Sequence, residues 1–398
     1  MAQSISQEAI GATGLPGATA ASRHAGATAS GAPTTGTFAV GDFIVDQSGA
    51  MYVCTVAGTP GTWGIVGGNS LVSNVAGRNK IINGDFGIWQ RGTTFNNIGN
   101  NVYNADRWIT SNGNSSATIN ITRQSFTPGS APVVGYESAY YLQFAQTVAG
   151  SGSGYNQLQN RIEDVRTFAN QTVTFSFWAL AGSGTININP IVGQCFGSGG
   201  SGNVELTLTP TSISVGSSGW VRYTATGTLP SIAGKTIGTG NYIYAYFGLP
   251  TNAVFTFNVW GVQLEAGSTA TEFTTASGSI GGELALCQRY YQRIGGSYYS
   301  PENVGVGTAG TTTAGYINCP TKQVLRTGAS FNAVFGASSM KIANAGGTQF
   351  AMTSASLAVA GTNAVLFSYN VASGLTAGQP VLCFITGTDA YIELNAEL

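Results

Sequence analysis

The sequence predicts a mainly β chain in which a small hairpin module, a β-sandwich, one short helix and a further β domain follow one another. Three observations lead there. Glycine is abundant (57 of 398 residues) and only 8% of residues are charged, while Ser, Thr and Asn are plentiful; this mixture suits short strands and tight turns better than helices. Apolar residues recur at every second position in many short runs, and Gly-rich breaks separate the runs. Helical spacing is convincing in one place, residues 283–294.

In chain order, residues 1–36 are Ala, Gly, Ser and Thr with almost no large apolar group, and are expected to form a flexible arm. Gly11, Gly14 and Gly17 keep a period of three that Ala20 ends, too short a run for a triple helix. Residues 37–75 read as the hairpin module. Phe38, Val40, Phe43 and Val45 alternate ahead of the turn Asp46-Gln47-Ser48-Gly49, Met51 and Val53 follow it, and Trp63 is the expected plug of a very small core. Residues 76–278 are expected to be the sandwich. Val173, Phe175, Phe177 and Ala179 share one face of a strand, with Thr172, Thr174, Ser176 and Trp178 on the other. Tyr242, Tyr244 and Tyr246 lie opposite Ile243, Ala245 and Phe247. The apolar phase slips from Phe255, Phe257 and Val259 to Val262 and Leu264, which predicts a bulge near Trp260-Gly261. Residues 279–295 hold the connecting helix, where Leu284, Cys287, Tyr291 and Ile294 follow 3-4-3 spacing. That seam either packs on a three-fold axis between copies or lies against the chain's own sandwich. Residues 296–398 return to strands, at 331–335, 357–359, 365–369, 381–385 and 391–394.

Residues 77–92 read GRNKIINGDFGIWQRG, with the turn-forming Asn83-Gly84-Asp85 between apolar Ile81, Ile82 and the aromatics Phe86 and Trp89. Tyr103-Asn104-Ala105-Asp106-Arg107-Trp108 follows, then far downstream residues 260–273 (WGVQLEAGSTATEF) and 282–291 (GELALCQRYY). In order and spacing this set resembles the jelly-roll domain of bacteriophage tail fibre and receptor-binding proteins, related in shape to carbohydrate-binding modules. The resemblance covers roughly residues 76–295, with a fainter match beyond. It implies a jelly-roll sandwich, a homotrimer, an N-terminus held by a tail or baseplate protein, a place in the virion, and adsorption to a host surface polysaccharide or lipopolysaccharide. Residues 37–75 would then be an anchoring module; the other reading is a spacer. Related modules often carry a structural calcium, with an acidic residue right after the Asn-Gly-Asp/Ser-Phe turn. Gly87 stands there in this chain and Asp85 alone is insufficient, which argues against the ion; no metal and no cofactor is expected.

A net charge of −1 leaves no basic surface to neutralise a phosphate backbone, so nucleic acid is not an expected partner. No stretch approaches the roughly 20 apolar residues of a membrane span, so no membrane insertion is expected. Met1-Ala2-Gln3-Ser4 lacks the pattern of a secretory signal, which fits release by cell lysis and a cytoplasmic protein equally. The five cysteines form no CxxC pair and read as small buried apolar residues. Catalysis is not expected. The sole histidine, His24, lies in the arm, and the carboxylates are few and scattered. Sugar binding needs ring faces for stacking and amides or charges for hydroxyls. The candidates are Trp178, Tyr244 and Tyr246, with Gln159 and Arg161 from a strand whose opposite face carries Leu158 and Ile162. These aromatics either form a groove on one sheet or pack under loops or at a subunit interface. Two further readings stay open: a structural fibre, hub or adaptor whose jelly roll binds protein, and a polysaccharide depolymerase.

Overall fold

The computed structural model describes residues 24–47, 49–66, 76–113, 116–133, 136–151, 154–296, 302–336 and 338–398. It divides into two compact units, 1–75 and 76–398.

In the first unit β1 (His24–Gly26) runs parallel to β2 (Phe43–Val45), which pairs with β3 (Met51–Val56), which pairs with β4 (Thr62–Val66). The hairpin and its turn are as expected, but the inward phase is the other one. Asp42, Ile44 and Asp46 are buried while Phe43 and Val45 are half-buried. The aspartates tolerate this because backbone donors satisfy them: Asp42 accepts from Ala39 N (3.0 Å), and Asp46 from Gly31 N and Ala50 N (2.9 Å each). The core is Ile44 with Cys54; Trp63 packs edge-on against Phe38 (4.8 Å) and is half-buried, not a plug. The flexible arm is corrected for residues 24–36. They fold back through β1, through Gln47 N donating to Thr28 O (2.9 Å), and through the Asp46 carboxylate on Gly31. Backbone groups make these contacts, so a segment poor in apolar residues gave no sign of them. Residues 1–23 of the expected arm lie outside the described residues.

The second unit opens with a two-sheet antiparallel sandwich. Its strands are β5 (Thr94–Phe95), β6 (Val102–Tyr103), β7 (Trp108–Asn112), β8 (Thr118–Ser125), β9 (Tyr140–Val148) and β10 (Asn156–Glu163). There follow β11 (Thr172–Ala181), β12 (Thr185–Cys195), β13 (Val204–Thr207), β14 (Ile213–Gly216), β15 (Val221–Thr228), β16 (Tyr242–Leu249) and β17 (Phe255–Ala266). One sheet has the order β13-β12-β16-β10-β7-β6, with β14 on β12; the other is β15-β11-β17-β9-β8-β5. The chain crosses between them at β5–β6, β7–β8, β9–β10, β10–β11, β11–β12, β14–β15, β15–β16 and β16–β17, a jelly-roll winding. Phe175 and Phe177 meet Phe247 at 5.2 and 4.7 Å in the core between the sheets. The predicted bulge is present: Ser176 faces Gln263 and Trp178 faces Trp260, so β17 has one extra residue there, with Gly261 at φ +62°.

Helix α1 (Ile280–Gln288) starts at Ser279, whose hydroxyl accepts from Gly282 N (3.1 Å). Nine residues, not twelve, are helical, because Tyr291 and Ile294 belong to β18 (Tyr291–Gly295). The predicted seam of Leu284, Cys287, Tyr291 and Ile294 is therefore corrected. Leu284 and Cys287 are helical, whereas Tyr291 and Ile294 pair with Asn395 and Ile392. Aromatic and β-branched residues suit that ladder, and 3-4-3 spacing over so short a segment cannot outweigh it.

The remaining strands are β19 (Glu302–Ala309), β20 (Ala314–Pro320), β21 (Ser330–Val334), β22 (Met340–Asn344), β23 (Gln349–Ala360), β24 (Ala364–Val371), β25 (Pro380–Ile385) and β26 (Tyr391–Asn395). A closed barrel, β19-β20-β24-β23-β22-β25, shares one core with the small sheet β18-β26-β21, including Ile294, Phe367, Cys383 and Ile392. Among the described residues no helix is long and apolar enough to cross a membrane.

Candidate functional site

Cross-strand register places one row of polar and aromatic side chains on the outer face of the sheet containing β10, β12 and β16. Gln159 lies opposite Tyr246 and Arg161 opposite Tyr244; across β12, Gly193 lies opposite both Tyr244 and, on β13, Glu205. Directly opposed residues in a ladder share a face, so Glu205, Gly193, Tyr244 and Arg161 form a continuous row. The other faces of β10 and β16, with Leu158, Ile162, Ile243, Ala245 and Phe247, build the core. Alternation therefore places this row.

A cleft of about 230 Å³ opens over the row. Gln157, Gln159 and Arg161 form its floor with Tyr242 and Tyr244; Tyr155, Asn101 and Ser111 lie on one side, Asn203 and Glu205 on the other. Gly193 leaves room for the Tyr244 ring, since a Cβ there would sit 2.3 Å from it. Tyr244 and Tyr246 stack at 6.0 Å, and Tyr246 donates its hydroxyl to Glu205 (2.9 Å). Arg161 donates to Gln159 Oε1 (3.0 Å) and to Leu398 O, and its guanidinium lies 4.9 Å from the centre of the Tyr242 ring. Burial holds the Tyr244 and Tyr246 phenols well above their usual range, reinforced by Glu205, and pushes Tyr242 up to about 12. All three are neutral hydroxyls at physiological pH. One cation, one carboxylate, several amides and phenols with ring edges between them can hydrogen-bond the hydroxyls of a sugar.

Of the predicted residues, Gln159, Arg161 and Tyr244 line this cleft, and Tyr246 borders it through Glu205. Trp178 is corrected. It lies on the other sheet, 9% exposed, in a cluster with Phe126, Trp260 and Phe273, and the Arg222 guanidinium covers its ring at 4.6 Å. Neither ring face is open to a ligand. The ring that is open is Tyr155, 46% exposed and seated against Gly113. It stands just before β10, outside any alternating run, so periodicity could not find it; Gln157 was within reach, being in phase with Gln159 and Arg161.

The segments that carried the family resemblance meet elsewhere, behind this sheet. Asn83, at φ +59°, donates to Ile88 O and Asp106 O and accepts from Ile88 N (2.9 Å each), while its carbonyl receives Trp108 Nε1 (2.9 Å). Val262 N donates to Gly84 O (2.8 Å), and Glu283 from α1 accepts the Asn83 N–H. They are therefore a structural hub. Asp85 accepts from Gly87 N and Tyr136 Oη (3.3 Å each), and burial raises its carboxyl above the usual range. Among the described residues, no three His, Cys, Asp or Glu side chains converge as a metal site.

A basic and aromatic clamp joins the sandwich to the last residues. Arg91 and Arg107 pair with Glu397, the former at 3.1 Å, and stack on Tyr291 and Tyr290 at 3.6 and 3.5 Å. Tyr103 donates to Leu398 O (2.9 Å), the same carbonyl that Arg161 holds.

No family model matches the chain, and no curated protein matches it. Among solved structures, the enzymatically active domain of tailspike protein 4 of bacteriophage CBA120 is 14% identical over 48% of this chain, with a TM-score of 0.30. The chain spans about a fifth (21%) of that protein's length. The CBM22-1 xylan-binding domain of Paenibacillus barcinonensis Xyn10C is 14% identical, covering 49% of this chain and 100% of its own, with a TM-score of 0.29. A family 11 carbohydrate-binding module of Clostridium thermocellum is also 14% identical, covering 45% and 96%, with a TM-score of 0.28.

Proposed function

We propose that the chain is a receptor-binding protein of a bacteriophage tail fibre that grips a bacterial surface polysaccharide or lipopolysaccharide through the outer face of β10, β12, β13 and β16. The observation that carries the reading is the cleft itself, where the open ring of Tyr155 faces Glu205 across a floor of Gln157, Gln159 and Arg161. The order and spacing of the segments around Asn83, Asp106, Trp260 and Glu283 support the tail-fibre context. In that context the protein acts as a homotrimer held to a tail or baseplate protein by residues 1–75, and weak single sites suffice because three act together.

Binding without hydrolysis is part of the reading. Glu163 is held by Arg289 (3.0 Å) and Tyr290, Glu393 by Tyr291 and Asn332, Glu397 by two arginines, and Glu205 by Tyr246. Each of these carboxylates already has a hydrogen-bonding or ionic partner, and Glu205 keeps one oxygen for the ligand.

The test is binding of the labelled full chain to a panel of bacterial surface polysaccharides. On a polymer that binds, Tyr155→Ala is expected to weaken each site by about threefold to tenfold, the worth of one ring stack, and Arg161→Gln to weaken it further. A double variant that binds as the parent does would refute the site. Light scattering that finds a monomer would refute the trimer.

A further inference from the structure

A second cleft, about 500 Å³, opens where the sandwich meets the β18 sheet and the barrel. Trp89 and Gln90 line it from the sandwich; Arg293, Glu302 and Lys322 line it from the other side. The charges are not balanced. Lys322 is neutralised by Glu302 (Nζ to Oε1, 3.2 Å), and Glu302 also accepts Gly295 N (2.9 Å). Among the described residues Arg293 has no such partner. Its cross-strand neighbour Glu393 is taken by Tyr291 and Asn332, and the guanidinium makes one long hydrogen bond, to Gln90 O (3.4 Å). Its Nε is sealed from solvent without an acceptor.

The guanidinium is nevertheless held in place. It lies 3.6 Å from the centre of the Tyr391 ring, and a Cβ on Gly296 would sit 2.6 Å from one of its terminal nitrogens. A stacked guanidinium has its plane fixed, which favours two parallel hydrogen bonds to a carboxylate or phosphate. Glu302 beside it accepts hydroxyl donors and repels a second negative charge. The cleft is also far roomier than one small anion requires. We propose that this cleft binds a sugar residue bearing a single anionic substituent, a carboxylate or a phosphate, as occurs in acidic polysaccharides. The proposal uses none of the residues of the sandwich cleft and stands apart from it.

The test is calorimetric titration of the full chain with glucuronate, glucose 6-phosphate, glucose and inorganic phosphate, repeated with Arg293→Gln, Lys322→Glu and Arg161→Gln. Glucuronate and glucose 6-phosphate are expected to bind and compete with each other, with glucose and inorganic phosphate at least about tenfold weaker, since a charge-assisted bidentate contact is lost in one case and the sugar in the other. Arg293→Gln should lower the affinity by about tenfold or more, Lys322→Glu should lower it, and Arg161→Gln should leave it unchanged. Should Arg293→Gln fail to fold, Lys322→Glu at its exposed site carries the test alone. Glucose binding as tightly as glucuronate, phosphate binding as tightly as its sugar ester, or affinity indifferent to residues 293 and 322 would each overturn the proposal. Loss in Arg161→Gln alone would move the acidic sugar to the sandwich cleft, overturning this inference while leaving the proposed function standing.

Discussion

Asn83 is the position where a small change should do most harm to the sandwich. Its amide makes three hydrogen bonds, two donated to Ile88 O and Asp106 O and one accepted from Ile88 N, and its backbone sits at φ +59° with no exposure. Asn83→Ala removes all three bonds at about 1 kcal/mol each and places a Cβ-bearing residue without a compensating side chain in the left-handed region, at a further ~1 kcal/mol. The expected loss is about 4 kcal/mol. Asn83→Gly relieves the backbone term and should lose about 3 kcal/mol. Asn83→Asp keeps the bond to Ile88 N but points a carboxylate at two carbonyls. It should be the least stable at neutral pH. Its folded-state pKa is raised, so stability is present below the unfolded value and is lost as pH rises through the folded one. Urea unfolding followed by tryptophan fluorescence reads the series, because Trp108 donates its indole N–H to Asn83 O. Glycine at the parent's stability would refute the hydrogen-bond hub, and alanine equal to glycine would refute the backbone term.

Trp178→Ala should cost about 3–5 kcal/mol by leaving a cavity against Trp260 and Phe273, with glycan affinity of the folded molecules unchanged; weaker binding at full stability would return Trp178 to the ligand site. Gly193→Ala drives a methyl into the Tyr244 ring, so glycan binding should fall while the circular-dichroism spectrum of the β chain persists, and unaltered binding would show that the ring does not shape the cleft. Burial raises the Asp85 carboxyl above its unfolded value, so the parent should lose stability as pH rises through the folded pKa. Asp85→Asn should be more stable than the parent at pH 7 and flatter with pH; parallel urea midpoints across that window would contradict this.

What was legible in the sequence was local and periodic. Alternation at 173–179 and 242–247 identified the core faces, and a phase slip located the bulge at Gly261 before any partner strand was known. Trp178 is where alternation misleads. Thr174 and Ser176 made its face look solvated, yet both are buried, because distant segments bring Phe126 and Phe273 over that face. Alternation reports the character of a face and says nothing of what lies across it. Strands β19 and β20 were hidden by Gly305, Gly307 and Gly315, which look like loop residues. Each lies so near a carbonyl of the facing strand that a Cβ would come within 1.8–2.2 Å of it. The cleft was half legible for a related reason: Gln159, Arg161 and Tyr244 follow strand periodicity, whereas Asn101, Tyr155 and Asn203 arrive from connections with no period to read.

The ionic clamp at the end of the chain bears on why the sandwich cleft can be specific. Arg107 is 1% exposed, and burial opposes the charge of both Arg107 and Arg91. Desolvation offsets most of what their contacts with Glu397 contribute, so the pairs add little net stability. Removing Glu397 alone, however, leaves Asp106 to offset both buried guanidinium groups, at a cost of several kcal/mol. Such an arrangement tolerates one seating of the last residues on the sandwich and penalises others. Leu398 O is delivered by that seating to Tyr103 and Arg161. Arg161 thus reaches the cleft with its long side chain already anchored at Leu398 and at Gln159, and less side-chain freedom remains to be lost when a ligand binds.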